Sequence, residues 1–284
     1  MWEAALALNK WLLYGALSVA VGGTATVLLW TPRGDMRPLV KAYLVPACIA
    51  GLLLSAAGFF IQVGAFAESG LPGMFEPVYL SILWQSPAGN VALLQSLGFA
   101  ATALAALSLP LDRRRVAAAL WLLGAILLLL PFGWRGHTAE LPLLTRAALS
   151  LHVAVAAFWM GALYPLWRLC RGGDPVQCRN GMEQFGRLAA WLVALLVVCG
   201  TWLLYALLDG WGQLLRGSYG LLLSLKLLFV GALLLLAAQN KWQLVPRLPA
   251  LTGRLARSIR TEILVGAVIL LITALVTTLT GPQH

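Results

Sequence analysis

The chain has 284 residues, of which 61% are hydrophobic and only 11% charged, whereas a soluble domain carries about 25% charged residues. A soluble fold of this composition would expose a large apolar surface to water, so lipid is the expected solvent for most of the chain. The formal net charge of +10 does not indicate nucleic-acid binding, because no soluble segment is long enough to hold a binding module.

Eight stretches are long and apolar enough to cross a bilayer, which takes about 20 helical residues. Their predicted bounds are 9–30, 42–66, 89–110, 116–133, 144–169, 187–208, 219–240 and 261–280. Membrane-spanning strands are excluded, because the runs are continuously apolar and lack the alternation of a barrel. The sequence therefore predicts an all-α polytopic helical bundle that forms one integral-membrane domain over residues 1–284.

The basic residues are distributed asymmetrically between the loops. Fifteen of the 20 lie in the loops after spans one, three, five and seven, and four lie on the opposite side. The positive-inside rule places the basic loops in the cytoplasm and both termini in the periplasm of a bacterial inner membrane. A missed or invented span would destroy this segregation of charge, so the segregation supports the count of eight spans.

The longest predicted outer loop, residues 67–88, contains several glycines and prolines that argue against a long helix. Its apolar residues predict a short segment that lies on the membrane surface or caps the bundle. Met74 and Glu76 in this loop are candidate ligands for a soft cation.

One histidine lies inside an apolar span, where ionisable residues are costly and usually functional. His152 is about two turns below the outer end of span five, with Trp159 on the same face and Met160 about 80° away. Span six is antiparallel, so Cys199 should lie at a similar depth. An imidazole beside soft sulfur suits Cu(I), so His152, Cys199 and Met160 are candidate ligands. The alternative is a histidine bonded to a neighbouring carbonyl or hydroxyl, beside an inert packed cysteine.

The predicted loops hold three further residues of interest. His137 follows Gly136 in an outer loop and is either a metal ligand at the water interface or an ordinary surface histidine. Cys170 and Cys178 lie in a basic loop placed in the cytoplasm. Because disulfides are rare in that compartment, none is predicted.

Three polar residues mark the last two spans. Lys226 either snorkels towards the outer headgroups or faces inward, where it would pair with a carboxylate such as Asp209 or gate a cation path. Glu262 opens span eight and either complements the helix dipole or belongs to that path. Asn240, near the inner end of span seven, is a candidate helix cap.

Signatures of several enzyme classes are absent from the sequence: there is no Walker loop, dinucleotide fingerprint, haem-attachment CxxCH or zinc-binding HExxH. The protein is therefore predicted not to be an enzyme. Any movement of solute would be driven by its own gradient or by coupled ions.

Three groups of residues, in this order, form a recognisable pattern. The first comprises Gly136–His137, His152 and Phe158–Pro165. The second comprises Tyr219–Gly220, Lys226–Leu227, Asn240–Lys241 and Pro246–Leu248. The third is Arg257–Ser258 followed by Glu262. Together they resemble the copper resistance protein D (CopD) family over about residues 136–283, while spans one to four match it only in pattern.

The resemblance implies an inner-membrane protein that brings copper from the periplasm towards the cytoplasm. It also implies a separate periplasmic copper carrier as partner, in addition to membrane lipids. The residues near His152 are apolar, among them Ala147, Ala148 and Leu149. They argue against a carboxylate-rich site and favour Cu(I) over Cu(II).

Two other functions stay open from the sequence. A b-type haem protein or membrane oxidoreductase could hold its haem through one axial histidine, whereas a bis-histidine site would require His137 to be drawn inwards beside His152. A Soret band in the purified protein would distinguish this function. A docking protein for the copper carrier, which does not pass the ion itself, is the other alternative.

Overall fold

The computed structural model describes residues 1–31, 33–133, 141–172, 174–207, 217–248 and 250–279. Within these ranges eight helices are long and apolar enough to cross a membrane, which confirms the predicted all-α membrane bundle. They are Trp2–Trp30 (α1), Met36–Ala67 (α2), Pro87–Leu111 (α3), Arg114–Gly133 (α4), Leu143–Gly172 (α5), Val176–Ala206 (α6), Gly217–Arg247 (α7) and Thr252–Leu279 (α8). The assignment of one face to the cytoplasm stays a prediction from the charge pattern.

Several helices run well beyond the apolar stretches that predicted them. Helix α1 begins at Trp2 rather than residue 9, α6 at Val176 rather than residue 187, and α8 at Thr252 rather than residue 261. Hydropathy identifies only the part of a helix that lies in hydrocarbon. Backbone hydrogen bonds extend the helix further, through polar residues. These three helices therefore begin seven to eleven residues before the predicted spans, and the span bounds themselves stay a prediction.

Two short helices, Leu71–Phe75 and Pro77–Trp84, connect α2 to α3. They expose large apolar side chains, including Phe75, Val78 and Trp84. This arrangement agrees with the predicted short apolar segment and contains no long helix.

Helix α5 crosses α1 at very short range through glycines. A Cβ atom on Gly22 would collide with the backbone of Phe158, and one on Gly161 would collide with the backbone of Ser18. Small residues of this kind let two membrane helices approach closely. The Tyr43 hydroxyl from α2 donates a hydrogen bond of 2.9 Å to the Gly161 carbonyl. The middle of α5 is thus held firmly against the first half of the bundle.

Helices α5 and α6 form an antiparallel pair that is tied at both ends. Near one end the Trp202 indole N–H donates to the Thr145 hydroxyl at 3.3 Å. At the other end Cys170 and Cys178 form a disulfide, with their Cα atoms 4.9 Å apart. The prediction that these cysteines lie in a loop and form no disulfide was wrong, because α5 and α6 both extend towards a very short connection. Each cysteine lies four residues from Asp174, so the turn brings the two face to face.

The last helices are arranged around α8, which packs against α1, α5 and α7. Helices α6 and α7 each present an exposed apolar stripe at seven-residue spacing. The stripes comprise Trp191, Val198 and Tyr205 on α6 and Leu221, Leu228 and Leu235 on α7. Such stripes are suited to lipid, so α6 and α7 form an outer layer over α5 and α8.

Candidate metal site

The His152 side chain lies against helix α6. Its Cε1 and Nδ1 atoms are 3.3 and 3.6 Å from the place where a Cβ on Gly200 would stand, so the ring rests on that glycine. The ring also lies beside the backbone of Leu196. Its Nδ1 atom, however, is buried and has no hydrogen-bond partner in the described part of the chain. A buried polar atom without a partner is costly, and a neutral imidazole nitrogen in this state is free to bind a metal.

Cys199 occupies the depth that the sequence predicted for it. It lies on α6 between Leu196 and Gly200, the two residues that the His152 ring contacts. Its thiol is free and its side chain is only 6% exposed. The structure thus brings His152 and Cys199 to one level of the α5–α6 interface, while their role as metal ligands stays a prediction.

Lys226 on α7 is half-buried and lies near His152. A positive charge beside the imidazole would repel an arriving cation. The snorkelling of Lys226 and its role in a cation path both stay predictions. Asp209, its suggested carboxylate partner, lies outside the described residues.

Glu262 forms a buried polar cluster with two neighbouring helices. It is only 3% exposed, and its Oε1 atom accepts a hydrogen bond from Asn240 Nδ2 on α7. The Trp159 indole N–H on α5 lies beside the same carboxylate but forms no hydrogen bond with it. Asn240 Oδ1 is buried without a partner. Three helices therefore direct polar groups to one point inside the bundle.

This cluster corrects two sequence-based interpretations. Glu262 does not open a helix, because α8 starts at Thr252, ten residues earlier. The helix dipole acts only within the first turn, so it does not explain this carboxylate. Asn240 does not cap a helix either, because α7 continues through it as a π-helical turn, Asn240–Leu244. Turns of this kind often occur at functional sites.

The histidine and the carboxylate lie at two successive levels of α5. His152 and Trp159 are seven residues apart on one face, which corresponds to about 10 Å along the helix axis. Met160 packs against Gly266 of α8, one turn from Glu262. Its thioether is therefore nearer to the Glu262 cluster than to His152. The polar residues on α5 to α8 thus lie at two levels, one with His152 and one with Glu262, which the charge pattern predicts to be the outer and the inner level.

The other predicted ligands do not lie near His152 or Glu262 in the described part of the chain. Met74 packs over Gly64 of α2, and Glu76 accepts a hydrogen bond of 3.0 Å from the Ser69 hydroxyl. Both lie beside the end of α2. His137 lies outside the described residues. Among the residues that are described, no three His, Cys, Asp or Glu side chains converge as a metal cluster.

The cysteine pair at the far end of α5 and α6 was missed by sequence reasoning. Cys170 and Cys178 are 3% and 1% exposed and belong to a buried apolar cluster with Met182. Their symmetric spacing about Asp174 was the available signal. It becomes informative only when both flanking segments are known to be helical up to the turn.

Two family models match the chain. The model described as "Copper resistance protein D-like, N-terminal domain" matches residues 1–146, and the one described as "Copper resistance protein D" matches residues 180–276. The chain belongs to the copper resistance protein D family. CopD membership implies a role in copper resistance and homeostasis. The first half, where sequence reasoning found only a general pattern, is matched as well. Residues 147–179, which include His152 and Trp159, lie between the two matched stretches.

A comparison with curated proteins adds a relative of known location. The CopD-family chain is 28% identical over 240 residues to "Inner membrane protein YebZ" of Escherichia coli (strain K12), and the alignment covers 80% of each chain. No solved structure matches the chain. The eight spanning helices and the family together make this a multi-pass membrane protein.

Proposed function

We propose that this protein carries copper, as Cu(I), across the bacterial inner membrane from the periplasm to the cytoplasm, and that it is a transporter rather than an enzyme. The observation that carries the proposal is the buried, unpartnered Nδ1 atom of His152 within a membrane-spanning pair of helices. Polar groups at such depth are expensive and mark ion pathways in membrane proteins. Copper is the cargo that the family suggests.

The proposed pathway has two levels. Copper first meets His152 and the neighbouring Cys199, whose nitrogen and sulfur donors suit Cu(I). It then moves towards Glu262 and Asn240, where a carboxylate and a free amide oxygen offer negative charge and a donor. Sites with few ligands release an ion readily, and conduction requires binding that is weak enough for the ion to leave.

The direction follows from the predicted orientation. The charge pattern supports an orientation in which the His152 level lies nearer the periplasm and the basic ends of α5 to α8 lie in the cytoplasm. A separate periplasmic copper carrier is the proposed donor to the outer level. In this arrangement Lys226 holds back cations until copper is delivered.

Copper influx into liposomes tests the proposal against a docking role. Liposomes that contain the purified chain alone and an entrapped Cu(I)-chelating dye should take up Cu(I) several-fold faster than protein-free liposomes. Zn(II) influx into the same vesicles controls for leakage. Influx no faster than in empty vesicles, from protein that is shown to be folded and inserted, would favour docking and contradict the proposal.

A further inference from the structure

We infer that Cys170 and Cys178, in their reduced state, form a Cu(I) site at the end of the α5–α6 pair, with Met182 as a third soft ligand. The inference rests on the proposed function, because it gives copper a binding site on the cytoplasmic side of the pathway. The site is distinct from the His152 and Glu262 levels.

The geometry of the pair suits a single bridging ion. The Cα atoms are 4.9 Å apart and the two sulfurs are bonded to each other. A metal that binds thiolates at about 2.3 Å, as zinc does, holds two sulfurs at most about 4.6 Å apart. Rotation of the two short side chains provides this separation, so a metal ion can replace the disulfide without movement of the helices.

The surroundings favour a soft cation. Cys170 and Cys178 are buried in an apolar cluster that also contains Met182 and Phe185. Met182 lies four residues after Cys178 and therefore on the same face of α6. Thiolate and thioether sulfurs in a dry apolar environment select Cu(I) over harder ions.

The local charge also fits. Two thiolates and one Cu(I) ion carry a net negative charge, which is costly to hold near hydrocarbon. Arg171 follows the first cysteine, with its guanidinium 5.1 Å from the centre of the Trp167 ring. Arg179 follows the second cysteine and forms an ion pair with Glu183, with 2.8 Å between Nε and Oε1. The charge of Arg171 therefore offsets part of the charge of a copper dithiolate.

Reduction of the disulfide makes the ligands available. Two molecules of a small cytoplasmic thiol supply two electrons and two protons, which leaves two cysteine thiols and one disulfide of the small thiol. Cu(I) then binds both sulfurs and displaces the two protons. The cytoplasm keeps protein thiols reduced, so the pair would bind copper there and would not bind it when oxidised.

Anaerobic titration with Cu(I), in competition with a colorimetric Cu(I) chelator, tests the site on the whole protein. The reduced wild type should bind one more equivalent of Cu(I) than the same protein with its disulfide intact, a comparison that needs no substitution. The double variant Cys170→Ser/Cys178→Ser should lose the same equivalent. Cys48 is a buried cysteine outside the disulfide, so the control variant Cys48→Ser should bind as much Cu(I) as the wild type. Met182→Leu should lower the affinity of the site for Cu(I).

Equal stoichiometry in the reduced, oxidised and double-variant proteins would overturn the inference, as would acid-quenched thiol labelling that finds the pair fully oxidised in cells. These results are separable from a failure of the proposed function. If copper enters liposomes but the cysteine pair binds none, only this site is refuted. If the pair binds copper but no copper enters, the transport proposal fails and the site stands.

Discussion

Replacing His152 by alanine should abolish copper uptake while the protein still folds and inserts. The substitution removes the unpartnered Nδ1 atom that we propose as the first ligand of copper. Loss of a direct ligand should reduce uptake by at least about 100-fold, since changes to supporting residues around a metal alone cost about 10–100-fold. The measurement is Cu(I) influx into liposomes that hold equal amounts of inserted protein.

The fold should tolerate this change. The ring rests on Gly200, and its buried Nδ1 atom has no hydrogen-bond partner to lose. Removal of this unpaired nitrogen removes the cost of burying it. The same substitution at His284, the last residue of the sequence, is the matched control and should transport normally. Wild-type influx through well-inserted His152→Ala protein would refute the ligand assignment.

Two substitutions at Glu262 should separate its chemical role from its structural one. Glu262→Gln keeps an oxygen that accepts the hydrogen bond from Asn240 but cannot carry a negative charge. We expect its stability to remain within about 1 kcal/mol of the wild type. Copper influx should fall by at least about tenfold, a change of about 1.4 kcal/mol, because the inner level no longer attracts a cation.

Glu262→Ala should lose both function and stability. It leaves the Asn240 amide N–H group buried without its acceptor. Such a group costs about 1–3 kcal/mol, which thermal or denaturant unfolding in detergent would detect. Glu68→Gln, at an exposed carboxylate after α2, is the control and should change neither quantity. If Glu262→Gln transports at the wild-type rate, the carboxylate has only a structural role.

Hydropathy and charge were sufficient to predict the eight spans, because a bilayer imposes a minimum apolar length on every helix that crosses it. The common depth of His152 and Cys199 followed from the same information. Two consecutive spans joined by a short connection are antiparallel, so counting residues from their ends fixes the depth of each side chain. These predictions depend only on local sequence and on the membrane.

The Glu262 cluster and the cysteine pair depend on contacts between distant segments, and composition does not determine such contacts. The carboxylate of Glu262 meets Asn240, 22 residues away, and also Trp159 on α5. Glu262 was placed at a helix start because its span was predicted to begin at residue 261, whereas α8 begins at Thr252. The pairing of Cys170 with Cys178 was missed because the polar ends of α5 and α6 were predicted to be loop.

X-ray absorption at the copper K-edge tests most directly whether copper binds inside the bundle at His152. The purified protein, loaded with Cu(I) while the Cys170–Cys178 disulfide is intact, should show the scattering pattern of an imidazole ring together with sulfur. His152→Ala protein prepared in the same way should bind less copper and lack the imidazole signal. An imidazole contribution that is unchanged by the substitution, or absent from the wild type, would contradict the proposed pathway.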